Sequence, residues 1–212
     1  MGDGRRCRHF RLQQCFRAAA AVGGGGGGER GTANGSAGGS RRVTGQAARG
    51  GSAIGAATAY RDRDAAALAQ FGLSLDELDS MSPRMRCARI LDMAIGDAGH
   101  PDEQAMRQAS LDQVKALVAN DATAKDISGM ESLRGFIGEL TVRLGLVELT
   151  DQYASKSITA VEAHKREKGL RQWVKAKIGR LNLATYGRVN STEFHQVARQ
   201  MAADALRLMR GN

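Results

Sequence analysis

The sequence predicts an all-α protein: a helical bundle of five or six helices preceded by a disordered N-terminal arm rich in glycine and arginine. Three observations predict it. Beyond residue 60, apolar residues recur at spacings of three and four, the repeat of a helix with one buried face. Serine and threonine stand just ahead of these runs, where a side-chain oxygen can cap the first free amides. No stretch alternates apolar and polar residues for long enough to make a half-buried strand.

The arm is assigned to residues 1–58 and the helical domain to residues 59–212. Residues 1–60 hold 16 of the 27 glycines, nine arginines, no lysine, one aspartate and one glutamate. Glycine loses more backbone entropy on ordering than any other residue, and this segment has few large side chains whose burial could offset that loss. Disorder is therefore expected, centred on residues 23–52.

Residues 61–71 form a short helix before Gly72. Ser82-Pro83 places a capping hydroxyl before a proline at the first helical position, and Cys87, Leu91, Ala94, Ile95 and Ala98 follow on one face. Gly99-His100-Pro101 ends that helix. The next begins around Asp102 and carries Met106, Ala109, Val114, Leu117 and Val118, with Asn120 and Asp121 at its end. Ser128 to Glu131 fits a capping box, followed by Leu133, Phe136, Ile137, Leu140, Leu144 and Val147. Thr159 to Glu162 is a second box, followed by Leu170, Trp173, Val174, Ile178 and Leu181. The last helix starts near Ser191 or Thr192 and shows Phe194, Val197, Ala198, Met201, Ala205 and Leu208. Each stripe is read as a core face, Trp173 included.

Several functions are excluded. The glycine run Gly23–Gly28 satisfies G-x-G-x-x-G trivially, with no strand before it and no helix after it to aim amides at a phosphate. There is no P-loop, no G-x-S-x-G and no paired metal-ligand spacing among three cysteines and four histidines. The carboxylates at Asp76, Glu77 and Asp79, and at Asp102 and Glu103, fall at helix starts, where they complement the macrodipole. The chain is therefore read as a non-enzyme without metal or cofactor. Ala18–Val22 is too short an apolar core for secretion, no apolar run reaches membrane-spanning length, and a cytoplasmic location is expected.

Charge is the strongest remaining signal. The formal net charge is +9, unevenly spread: +7 over residues 1–60, −5 over 61–160 and +7 over 161–212. Arginine- and glycine-rich arms bind nucleic acid through phosphate charge. Candidate contacts are Arg41, Arg42 and Arg49 in the arm, and Lys175, Lys177 and Arg180 in the basic C-terminal helices. A solvated polar face is the competing explanation.

The order of short words is itself informative. A basic Gly/Ala segment, Thr44 to Gly51, leads to Tyr60. A leucine turn follows over Phe71–Leu78, then a helix opening at Ser82-Pro83 and closing at Asp97-Ala98-Gly99, then one opening with Asp102-Glu103. Over residues 44–182 this layout resembles QatB, the small accessory protein of bacterial Qat anti-phage defence operons. The front departs from the pattern: Asp3-Gly4-Arg5-Arg6-Cys7 follows Met1-Gly2, where the family is rich in Thr, Ser and Pro. The resemblance implies a non-enzymatic adaptor subunit. Its implied partners are a QueC-like enzyme, a P-loop ATPase and a TatD-like nuclease of the same operon. It also implies Gly2 as a site of modification by the QueC-like partner, since a terminal glycine is unhindered. A nucleic-acid-binding protein is the alternative.

Overall fold

The computed structural model describes residues 35–119 and 128–210, with side chains from 41–119 and 128–209. Gly2, Cys7, Cys15 and the disorder expected before residue 35 lie outside the described residues. Among those described, the secondary structure is helical throughout, as expected for the class.

The main departure is at the front. Helix α1 runs from Gly35 to Arg61, through the expected arm and across the boundary placed at residue 58. Disorder over residues 41–58 is thereby corrected. The physical reason is that these glycines allow close approach of neighbouring helices. Ala47, Ala53, Ile54, Ala56, Ala57 and Ala59 are buried in the core. A Cβ on Gly50 would lie 2.1 Å from Phe136 Cζ, one on Gly51 2.5 Å from Ala198 Cβ, and one on Gly55 2.2 Å from the Ser191 carbonyl oxygen. Each glycine costs about 1 kcal/mol of helix propensity relative to alanine. Burial of the surrounding side chains against a bare backbone offsets this.

The other helices follow their caps. Asp64 caps α2 (Ala65–Gln70), and Gly72 turns the chain at φ +69°. Ser74 caps α3 (Leu75–Asp79), a five-residue helix within the expected leucine turn. Ser82 caps α4 (Pro83–Ile95), with the proline in its first turn, and Gly96 ends it at φ +74°. His100 caps α5 (Pro101–Val118) by accepting from the Asp102 amide. Ser128 caps α6 (Gly129–Ala154). Thr159 and Glu162 form a complete capping box on α7 (Ala160–Ile178). Two short 3-10 turns, Leu183–Tyr186 and Ser191–Glu193, lead into α8 (Phe194–Arg210). The second turn carries its own capping box, Asn190 with Glu193.

Helix α1 is the axis of the bundle. Gly51 meets Ala198 while Gly55 meets Ser191, so α8 runs antiparallel to it. Gly50 meets Phe136 while Gly129 meets Thr58, so α6 does the same. Arg42 meets Asp102 while Gly50 meets Ser110, so α5 runs parallel to it. Helices α6 and α7 form an antiparallel hairpin, Gly138 against Ile178 and Gly145 against Leu170. The core is continuous from Ile54 through Phe136, Leu140, Trp173 and Met201.

Candidate functional surface

Three polar arrangements stand out on this frame. The first ties α1 to α5. Arg42 forms an ion pair with Asp102, whose carboxylate is almost wholly buried in the first turn of α5. Two turns further along α1, Arg49 Nη1 donates to Glu103 Oε1 at 2.8 Å, and Nη2 donates to the Ile95 carbonyl at 2.7 Å. The Arg49 bond, helped by the Gly99 amide, holds the Glu103 carboxyl below its usual range. Two of the six arginines and lysines expected to meet phosphate thus have carboxylate partners inside the fold.

The second closes the far end of α1. The Tyr60 hydroxyl donates to Asp79 Oδ1 at 2.8 Å. Arg63 grips the same carboxylate with both terminal nitrogens, at 2.8 and 2.6 Å. Behind them the buried Arg86 guanidinium lies over the Tyr60 ring, 4.7 Å from its centroid. It donates to the Leu78 carbonyl at 2.9 Å and to the Met81 carbonyl at 3.1 Å. The bond from Arg63, then that from Tyr60, holds Asp79 at about 2, while burial pushes the Tyr60 phenol up. Nothing in linear spacing announced this knot, because its members come from α1, α3 and α4 and meet only in the fold. Its geometry explains a joint between helices.

The third is the outer face of α7. Leu170, Trp173, Val174 and Ile178 turn inward. Lys165, Lys168, Gln172 and Lys175 occupy the opposite side, all exposed, and Arg180 follows just past the helix end. Lys177 stands apart: it is half-buried and its Nζ donates to the Leu208 carbonyl at 2.9 Å, near the end of α8. Arg41 is exposed near the start of α1. The expected contacts are therefore split. Lys175 lies on the outer face of α7 and Arg180 just past its end, Arg42 and Arg49 face α5, and Lys177 serves α8. Lys165 and Lys168 belong with Lys175 and are not among the six candidate contacts. Their offsets of three and ten residues, opposite the Leu170 and Trp173 stripe, were the available signal.

Cys87 is buried, and burial pushes its thiol pKa up, which disfavours the reactive thiolate. Among the described residues no group of three or more His, Cys, Asp or Glu side chains is placed to hold a metal ion. No described helix is long and apolar enough to cross a membrane.

The family model described as Qat anti-phage system associated protein QatB matches residues 34–181. No curated protein and no solved structure gives a significant match. The match begins one residue before α1 and ends between α7 and the 3-10 turn at Leu183. It thus takes in the glycine-bearing helix and leaves out α8. Covering well over half of the chain, from the central helix through the α6–α7 hairpin, it establishes that the chain belongs to the QatB family of Qat anti-phage defence proteins.

Proposed function

We propose that this protein is a non-catalytic adaptor subunit of a cytoplasmic anti-phage complex, with its N-terminal segment as the part a partner enzyme acts on. The observation that carries this reading is membership of the QatB family across the whole α1–α7 frame. Two features support it. The polar clusters of the described domain are consumed in joining helices, at Arg42–Asp102 and at Tyr60–Asp79–Arg63, and none pairs a nucleophile with a free base. Gly2 also stands 33 residues ahead of α1, a length that can reach at most about 110 Å. A glycine on such a lead can enter a narrow active site while the bundle stays outside.

The partner proposed to act on Gly2 is a QueC-like enzyme of the same operon. A P-loop ATPase and a TatD-like nuclease complete the complex. The test is co-expression with the QueC-like enzyme, followed by intact mass and N-terminal peptide mass spectrometry. A mass increase confined to the peptide bearing Gly2, absent with an inactive enzyme, is expected. An unmodified mass with active enzyme present overturns the modification. A nuclease-treated pull-down that recovers none of the operon's products overturns the adaptor reading.

A further inference from the structure

The exposed face of α7 gathers several cations on one helix without carboxylate partners. On the acidic stretch from α2 to α6, most arginines are neutralised in place: Arg89 by Glu77, Arg107 by Asp92, Arg134 by Glu131 and Arg143 by Glu139 and Asp112, as Arg63 is by Asp79 just before it, while the exposed Arg84 and Lys115 stand singly on α4 and α5. On α7, Lys165, Lys168, Lys175 and Arg180 are exposed and have no carboxylate within ion-pair distance among the described residues. The nearby acids are engaged elsewhere. Glu162 is held in the capping box with Thr159, and Glu167 pairs with Arg171. From Lys165 to Arg180 this face runs about 22 Å at helical rise, the axial length of about six base pairs.

The occupant follows from what the face contains and lacks. Beyond Val161 at its start, it carries Gln172 and Ala176 between the cations and no aromatic or large aliphatic anchor. Protein interfaces take most of their energy from such anchors. The apolar side of α7 is buried in the core, so the helix has nothing to insert into a bilayer. A row of lysine point charges on a rigid helix fits a repeating anion, the phosphate backbone of a nucleic acid, contacted without base reading.

We propose that the Lys165–Lys168–Lys175–Arg180 face of α7 is a sequence-independent binding surface for the phosphate backbone of duplex nucleic acid. This goes beyond the adaptor reading and does not rest on it.

The test uses the full chain and a labelled 24-base-pair duplex DNA of arbitrary sequence, followed by anisotropy from 50 to 200 mM salt. Four phosphate contacts predict a slope of log affinity against log salt of about −3.6, a loss on the order of a hundredfold over that range. The variant Lys165→Gln/Lys168→Gln/Lys175→Gln/Arg180→Gln is expected to bind at least tenfold more weakly at 50 mM salt. Its slope should be shallower by about 3.6, whatever the N-terminal arginines add to both proteins. The control Arg143→Gln/Arg207→Gln, which removes two paired arginines, is expected to change little. Equal slopes for wild type and the fourfold variant overturn the proposal, as does a wild type that fails to bind at 50 mM salt. An equal loss in the control overturns it by reducing the effect to net charge. Loss of retention of an operon partner by the fourfold variant, with duplex binding intact, overturns it in favour of a protein dock. Unchanged circular dichroism and melting temperature show that the variant is folded.

Discussion

The α-carbon of Gly50 lies beneath the ring of Phe136 so closely that the smallest side chain would put a carbon 2.1 Å from Cζ. Phe136 is fully buried, so its ring has no free space to move into. Gly45, five residues earlier on the same helix, has nothing within 4 Å of the same hypothetical carbon. One substitution therefore has opposite signs at the two positions. Gly45→Ala should stabilise the domain by about 0.5–1 kcal/mol through helix propensity. Gly50→Ala should destabilise it by about 1–3 kcal/mol, because overpacking exceeds the propensity gain. Paired urea titrations settle it, and equal shifts of the same sign would contradict the close-packed account of α1.

The Arg42–Asp102 pair predicts a stability effect of its own. Asp102 is nearly fully buried while Arg42 remains partly exposed, so removing the cation strands a carboxylate that water reaches poorly. Arg42→Gln should cost about 1–3 kcal/mol, below the full value for a buried pair because Arg42 is partly solvated. Arg49→Gln should cost less, since Glu103 is more open to solvent. Chemical denaturation of both variants checks the order. A reversed order would mean that the Ile95 carbonyl, and not the carboxylate, is the important partner of Arg49.

Asp79 gives the acid limb of the stability curve a defined position. Its carboxyl is held at about 2 against an ordinary 3.8, first by the bond from Arg63 and then by that from Tyr60. A depressed carboxyl stabilises the native state above its unfolded value. That contribution is lost as pH falls from about 4 through about 2. Wild type should lose melting temperature across this window more steeply than Asp79→Asn. Parallel curves for the two proteins would show that the cluster does not titrate as a unit with folding.

Helix α8 lies outside the family-matched residues yet covers the glycine face of α1. Phe194, Met201, Leu206 and Met209 are buried there, together with Ala198, Ala202 and Ala205. Burial of four large side chains contributes roughly 6–12 kcal/mol, comparable to the whole stability of an ordinary domain. A chain ending at Asn182 should lose cooperative unfolding and near-ultraviolet circular dichroism, and bind a hydrophobic dye. A sharp, native-like melting transition in that fragment would show that α1–α7 is self-sufficient.

Much of the fold was legible where capping chemistry is local. Ser82-Pro83, Ser128 with Glu131, and Thr159 with Glu162 each open a helix where the sequence places one. Helix α1 was not legible, because its buried stripe is built from Gly and Ala. That composition reads as disorder until Phe136, Ala198 and Ser191 are known to press on it. The surfaces divided in the same way. The α7 lysines could be found from spacing on one helix. That Arg42 and Arg49 have partners at Asp102 and Glu103 could not, because the pairs are 60 and 54 residues apart and meet only after α1 has formed.

The placement of α1 also orders the protein's birth. The first described helix to leave the ribosome is the one on which α2, α4, α5, α6 and α8 pack, and α8, one of its main covers, is the last of the described helices to be made. Gly51 waits for Ala198, 147 positions downstream. For an all-helical protein this is a very non-local closure, and non-local closure slows folding. An alanine- and glycine-lined helix is also a poor nucleus for premature collapse, because it offers little apolar area to stick to. The nascent chain can thus hold its axis open until α8 arrives and then close its core.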